Sequence, residues 1–459
     1  MRRLSVAEHT LVTRLAGTEN FESAARPSLN ARLYDRLHAF DRAESVAREQ
    51  VLEWSDGAFR TTQWVGVVQV PGLQLEILPK IDLVAAEHSE TGDVPQTEAR
   101  RNLLYMLAVS GDVPVRSRDV ARLAVRKAAL SETLAAIFGQ RLLRELLRGR
   151  EKAYLTQEEN LRQFKGKLFV PRHVVHNAAH RERFFCRFDE LLEDTLMNRI
   201  FRACCRVLLD VTNQPATQDA IRHCLLLLDG VSDVSVQEAD FGRISINRQN
   251  ERFEDLLRFC RLLLSGATPT VQAGATRTFS LLFDMNIVFE RFIAAFVHRY
   301  IAPLIEGLRV YRQSAGHSKH LMASAGVGVL RLAPDLLMEL AGRPLVVDTK
   351  WKVLSARSAR SGVSDADLYQ LFAYTRRYGC ARSILLYPHV SGLEPRDFDV
   401  LDEHGRTGPR VLVRHVRLHR NLAEEKERLA LVSELEAIVR EGFQLPAETP
   451  TAGPVRTVA

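Results

Sequence analysis

The residues best suited to chemistry lie between Leu332 and Lys352. There Pro334-Asp335 precedes one apolar run, and Leu345-Val346-Val347 leads into Asp348-Thr349-Lys350-Trp351-Lys352. Gly342, in a short polar turn, joins the two runs, so the segment reads as a hairpin. Alternation along a strand puts Asp348, Lys350 and Lys352 on one face and Val347, Thr349 and Trp351 on the other. At ~3.3 Å per residue, Asp348 and Lys350 are then about 7 Å apart along that face. Asp335 opens the partner strand and can reach the same place. An Asp straight after Leu345-Val346-Val347, the middle of a buried strand, is costly unless it is paired or bound to metal. Two carboxylates converging there repel each other unless a cation sits between them. Mg²⁺ suits such a pair, because it takes one or two carboxylates and completes its shell with water and phosphate. The lysine could then orient or deprotonate an attacking water, or neutralise charge growing on a phosphorane. An ordinary Asp–Lys ion pair at a strand edge would explain a lone D-x-K. Pro-Asp, a hairpin, then an apolar run ending in Asp-x-Lys is rarer and favours chemistry.

Two helices are expected to flank this hairpin. In the first, over 281–300, Glu290 shares a face with Phe283, Ile287, Ile293, Ala294 and Val297. A carboxylate there would suit a third acidic group near the metal; a Glu paired with an arginine at the rim of the core is the alternative. In the second, over 365–379, Gln370 and Tyr374 stand one turn apart on one face. They could contact a phosphate or fix the water, although Tyr374 could equally be a core residue. Arg376 and Arg377 follow as phosphate contacts or as solvated surface charges.

Around these elements the periodicity predicts a helix over 29–50 and a hairpin from Trp64 to Lys80 turning at Pro71-Gly72. Helical patterns follow over 118–150, 189–210 and 251–265. Strands are expected near 327–332, 335–340, 344–351, 382–387 and 410–417, with a last helix over 422–441. Residues 266–276 have the composition of a linker, and the Pro/Thr/Ala-rich tail that of a disordered segment. The expected division is a β-rich region 1–95, a mainly helical region 96–270, an α/β domain 271–445 with a mixed sheet, and the tail 446–459: an α+β multidomain chain.

The 459 residues exceed one ordinary core, which agrees with two or three domains. No apolar run is long enough to span a bilayer and no apolar signal core follows Met1, so a cytoplasmic protein without a membrane role is expected. The six cysteines show no C-x-x-C spacing and read as buried thiols. A net charge of +7 favours a polyanionic partner. Lysine is scarce beside arginine, which singles out Lys80, Lys165, Lys167, Lys350 and Lys352. His173, His176 and His180 have helical spacing, but no Cys or carboxylate joins them in register, so solvent-facing histidines are the simpler reading. Phe164-Lys165-Gly166-Lys167 is either a basic DNA-contacting turn or a solvated loop.

Pro334-Asp335, Asp348-Thr349-Lys350 and Gln370-x-x-x-Tyr374 together resemble the PD-(D/E)XK nuclease signature. Phe283-Asp284-Met285-Asn286-x-x-Phe289-Glu290, Asp348-Thr349-Lys350-Trp351-Lys352 and Leu368-Tyr369-Gln370-Leu371-Phe372-Ala373-Tyr374 resemble McrC, the nuclease subunit of McrBC modification-dependent restriction systems. Val65-Gly66 through Pro79-Lys80-Ile81 is similar to that family's N-terminal hairpin, and Asp189-Glu190 through Asn198-Arg199 to its central helix. Ala333 stands where the family often has Arg before the Pro-Asp. The resemblance implies a type IV restriction endonuclease subunit with a C-terminal PD-(D/E)XK domain. It implies Mg²⁺ held by Asp335, Asp348 and Glu290, with Lys350, Gln370 and Tyr374 completing the catalytic set. It also implies double-stranded DNA containing modified cytosine as substrate. The partner implied is a hexameric McrB-like AAA+ GTPase, whose GTP hydrolysis the N-terminal region stimulates. No G-x-x-x-x-G-K-S/T loop occurs in this sequence, so nucleotide hydrolysis would belong to that partner. Two other readings stand beside this one: a non-catalytic, DNA-holding activator of the GTPase ring, and a stand-alone repair nuclease of the same superfamily.

Overall fold

The computed structural model describes residues 2–15, 22–23, 26–44, 51–80, 94–115, 129–265, 278–312, 316–352, 354, 362–390 and 392–446. Its contacts form two compact units. One comprises 1–67, 72–127 and 282–459; the other comprises 68–71 and 128–281. The linear division into 1–95, 96–270 and 271–445 is therefore not how the contacts group. The N-terminal region belongs to the same unit as the C-terminal third, because its strands and the helix Val94–Ser110 pack there. That helix lies against the helix Met285–Phe296 (α1), with Asp112 accepting from Arg291 at 2.8 Å.

The centre of the first unit is a six-stranded mixed sheet. Its strands are β1 (Arg309–Arg312), β2 (Leu336–Leu340), β3 (Arg343–Thr349), β4 (Arg382–Pro388), β5 (Arg396–Leu401) and β6 (Thr407–Val416), in the order β1-β2-β3-β4-β6-β5. β2 and β3 form the expected antiparallel hairpin, with Leu336 opposite Val347. β3, β4 and β6 run parallel, and the helix Asp365–Tyr378 (α2) makes the crossover from β3 to β4. Parallel strands are covered on both faces, which is why Leu345-Val346-Val347, Ile384-Leu385-Leu386 and Val411-Leu412-Val413 are apolar without alternation. On one face Leu371, Tyr374 and Tyr378 of α2 pack over Val346, Leu385, Tyr387, Val411 and Val413. The helix Glu425–Phe443 (α3) packs on β3, β4 and β6 from the other face. There Gly442 comes so close that an added Cβ would lie 2.6 Å from Leu345 Cδ2.

Two smaller sheets complete this unit's N-terminal part. One pairs Arg2–Ala7 with Leu73–Leu78; the other gathers 22–23, 26–30, 11–15, 58–61 and 52–55. The expected helix over 281–300 begins only at Met285. Asp284 caps it, its carboxylate accepting from Asn286 N at 2.8 Å, and the residues before it pair as a strand.

The second unit is less helical than expected. Ala153–Leu161 and Phe184–Leu192 form a long antiparallel pair with Lys167–Leu168 at its edge. Asp189-Glu190-Leu191 thus lies in a strand, and the helix starts at Leu196 behind the Thr195 cap. Its sequence of charged residues between apolar ones suits either state, and cross-strand partners such as Thr156–Asp189 at 2.7 Å decide it. The helices Leu130–Leu147, Leu196–Val211, Pro215–Leu227 and Glu254–Ser265 make the rest of its core, and all six cysteines of the chain are free and buried. The linker 266–276, the acidic stretch near 89–93 and the tail beyond 446 lie outside the described residues. Among the described residues no helix is long and apolar enough to cross a membrane.

Candidate active site

Asp348 is the penultimate residue of β3, and the strand's burial carries it inside: it is 1% exposed. In the hairpin register Asp335 falls opposite it, just before β2 begins. Asp335 is anchored by its neighbour across the hairpin: Thr349 donates its backbone N–H and its hydroxyl to Asp335 Oδ2, each at 2.7 Å. Lys350 leaves the sheet with its N–H still on Leu386 O at 2.9 Å, and its Nζ returns to within 2.9 Å of Asp348 Oδ2.

α2 supplies the other wall. Ser364 caps it and Gly379, at φ 73°, ends it. Lys350 Nζ donates to Gln370 Oε1 at 2.9 Å, Gln370 Nε2 donates to the Tyr374 hydroxyl at 3.0 Å, and that hydroxyl donates to Ala333 O at 3.3 Å. The chain of bonds runs from the lysine back to the residue before Pro334. Gln370 is exposed and Lys350 half-buried, so the cluster opens to solvent on this side. Asp367, one turn before Gln370, accepts from the Tyr387 hydroxyl at 3.0 Å and lies 4.0 Å from Lys352 Nζ.

The electrostatics are those of crowded carboxylates. Burial pushes the Asp348 carboxyl up to about 7; Asp335 adds to the rise and Lys350 opposes it. Burial also raises Asp335, against the Thr349 donors and the Lys350 charge. For Lys350 burial alone would favour the neutral amine, but Asp348, Asp335 and Asp367 outweigh it and hold the pKa above its usual value. Burial likewise raises the Tyr374 hydroxyl, with Asp348 and Asp335 adding to it, so it stays a donor.

Asp348 Oδ2 takes the Lys350 ammonium at 2.9 Å, and Oδ1 is buried without a hydrogen-bond partner. A carboxylate so placed is expensive in its charged form unless a cation meets it. The donor set fits Mg²⁺, which needs few protein ligands.

The structure thus brings together Asp335, Asp348, Lys350, Gln370 and Tyr374. It does not gather Glu290 with the two aspartates into a metal-holding trio. On α1, Ile287, expected on Glu290's apolar face, is 42% exposed, and Phe283 belongs to the preceding strand, so Glu290 stands half-buried at the margin of that face. The α1 side chain that turns toward β3 is Phe289, whose ring lies 5.4 Å from that of Trp351. Three participants escaped the sequence reading. Asp367 could have been found by its helical spacing to Gln370. Thr349 and Tyr387 had no local signal, since one was assigned to the opposite face and the other closes an expected strand.

Other candidates dissolve into local structure. His173 Nδ1 takes the Phe185 N–H at 3.3 Å, His176 Nδ1 lies 3.0 Å from Arg172 O, and His180 lies beyond the helix Val170–Asn177. Lys165 pairs with Glu190 at 3.2 Å and lies over the Phe188 ring. Arg377 donates to His320 O at 2.8 Å, and Arg376 is exposed.

Comparison with known proteins gives the family of the chain. A curated relative, the type IV methyl-directed restriction enzyme EcoKMcrBC of Escherichia coli (strain K12), is 21% identical over 302 residues, covering 63% of this chain and 86% of the relative. The fold is similar to a chain of the refined half-complex from the tetradecameric assembly of Thermococcus gammatolerans McrB AAA+ hexamers with bound McrC. That likeness has a TM-score of 0.61 at 19% identity and covers 93% of this chain and 100% of the other. Residues 59–388 match the family described as McrBC 5-methylcytosine restriction system component. The chain belongs to that family, and the McrC resemblance read from its motifs holds.

Proposed function

We propose that this chain is the Mg²⁺-dependent endonuclease subunit of a modification-dependent restriction system, with a PD-(D/E)XK-type domain around β2, β3 and α2. It hydrolyses phosphodiesters of double-stranded DNA containing modified cytosine when assembled with a hexameric McrB-type AAA+ GTPase, whose GTP hydrolysis it stimulates. The observation that carries this reading is the buried Asp348 carboxylate, its Oδ1 without a hydrogen bond and its Oδ2 on the Lys350 ammonium, beside Asp335 in a site open to solvent at Gln370.

Asp335 and Asp348 would hold the metal. When bound there, Mg²⁺ supplies Lewis-acid charge and lowers the pKa of a coordinated water. Thr349 keeps Asp335 turned toward the site by two hydrogen bonds. Lys350, its pKa held up by three carboxylates, is protonated at neutral pH. That favours a donor, orienting the water or neutralising charge on the phosphorane, over a base. Gln370 and Tyr374 fix where its Nζ points.

The test is cleavage of methylated and unmethylated plasmid with GTP and Mg²⁺, with and without the GTPase partner. Lys350→Ala should abolish cutting and leave partner GTPase stimulation intact. Cutting by Lys350→Ala at the wild-type rate would overturn the reading. The non-catalytic alternative predicts no cutting by the wild type under any of these conditions.

A further inference from the structure

The N-terminal strand Arg2–Ala7 runs parallel to Leu73–Leu78, and the ladder extends one residue further, with Glu8 N donating to Leu78 O at 2.9 Å. His9 then takes φ 58°, a left-handed conformation unusual for a side-chain-bearing residue, and the chain turns away. Glu8 is left 1% exposed at the end of the strand. Such burial of a carboxylate is costly unless donors meet it, and two do. Lys80 N donates to Oε1 at 2.7 Å, and the Trp351 indole N–H lies 2.9 Å from Oε1 and 3.1 Å from Oε2.

Those two donors belong to different parts of the unit. Lys80 closes the N-terminal hairpin, and Trp351 directly follows Lys350. β3 pairs with β4 only as far as Thr349, and the Lys350 N–H makes the last bond to that strand. Beyond it Trp351 is 9% exposed, held by Phe289 on one side and by Glu8 on the other. The free end of the strand that carries Asp348, Thr349 and Lys350 is therefore tethered through one indole to the N-terminal strand pair.

We propose that Glu8 is a positioning residue for the candidate active site: its carboxylate fixes Trp351 and so holds the Asp348–Lys350 end of β3 in its working place. The placement of the site thereby depends on the N-terminal strand and hairpin, and anything that shifts them shifts Lys350. This inference rests on the nuclease reading above. A displacement of about 1 Å at reacting groups can lower a rate by about 10²-fold, which sets the scale. Burial raises the Glu8 carboxyl to about 7, against the opposing Lys80 and Trp351 contacts.

The experiment uses the full chain with its partner and compares Glu8→Gln, Glu8→Ala, Trp351→Phe and the double variant Glu8→Ala/Trp351→Phe. Steady-state plasmid cleavage and Mn²⁺ affinity by calorimetry are measured, with thermal melting to confirm folding. Glu8→Ala should lower kcat by roughly 10–100-fold with KM for DNA unchanged, and weaken Mn²⁺ binding by about tenfold. Glu8→Gln keeps an acceptor and should retain most of the rate. Trp351→Phe keeps the packing on Phe289, loses the donor, and should match Glu8→Ala. The double variant should be no worse than either single one, because both break one link.

A folded Glu8→Ala protein cutting at the wild-type rate would overturn the proposal. So would single losses that multiply in the double variant. Should Glu8→Ala not fold, Trp351→Phe decides by the same criterion. A wild-type protein that binds Mn²⁺ but never cuts DNA would instead overturn the nuclease reading. The tether is then judged on Mn²⁺ affinity, which Glu8→Ala must weaken and Glu8→Gln must not.

Discussion

Thr349 grips Asp335 twice, by backbone N–H and by hydroxyl, each 2.7 Å from the same carboxylate oxygen. Both bonds fall on Oδ2, so the carboxylate is oriented by the hairpin's own backbone before any ligand arrives. Its partner Asp348 has no such backbone help, as the Lys350 ammonium alone meets it, 2.9 Å from Oδ2. One carboxylate is held in place by hydrogen bonds, and the other has an oxygen, Oδ1, left without a partner.

Thr349→Val tests the first half of that arrangement. The substitution keeps the shape and the backbone donor and removes the hydroxyl. Stability should fall by about 1 kcal/mol. Mg²⁺ or Mn²⁺ affinity, followed by calorimetry, should fall by about tenfold, the usual scale for losing a group that orients a ligand. An unchanged affinity would mean that the Thr349 hydroxyl does not orient Asp335 for ion binding.

Asp348→Asn tests the second half. Cleavage should drop by roughly 10³-fold or more, since both the ion's ligand and its charge are lost. The metal-free protein, by contrast, should melt at the same temperature or higher, because a crowded buried charge has been removed. A variant that melts well below the wild type without metal would show that the Asp348–Lys350 pair stabilises the fold.

The pH dependence follows from the same residue. The folded-state pKa of Asp348 is raised to about 7 from an ordinary 3.8, so between these values the folded state binds more protons than the unfolded one. Its contribution to the stability of the metal-free protein is full below about pH 4 and is lost as pH rises through about 7. Glu8, also raised to about 7 by burial, has the same sign. Asp348→Asn should therefore flatten the fall in part. Protection by Mg²⁺, which competes with the proton, should grow over the same window. Melting curves from pH 5 to 8, with and without Mg²⁺, measure both effects.

Tyr374→Phe isolates the relay on α2. The ring stays in the core, so melting should change little, while Gln370 loses the hydroxyl that receives its Nε2. With Gln370 free to turn, Lys350 is less well aimed, and single-turnover cleavage should slow by roughly tenfold. A rate equal to wild type would remove Tyr374 from the site and return it to the core.

Some of this was legible from residues alone because it is local. Strand alternation places Asp348 and Lys350 on one face whatever surrounds them, and helical spacing pairs Gln370 with Tyr374. The hairpins at Gly342 and at Pro71-Gly72 follow from their turn residues. The expected helix at Asp189 failed because its mixture of charged and apolar residues suits a strand as well, and the pairing with 153–161 decided between them. Glu290 is a different case: a helix's apolar face is visible in sequence, but what that face meets is not.

From its order of residues alone this chain determined a hairpin with two aspartates and a lysine, and a helix with a glutamine and a tyrosine. Those depend on bonds and spacings within a few residues. Only the tertiary structure decided that Tyr387 stands beside them, and that Glu8, 343 positions before Trp351, accepts from its indole. Contacts between segments so far apart arise from the packing of whole sheets and helices, and no short-range pattern encodes them.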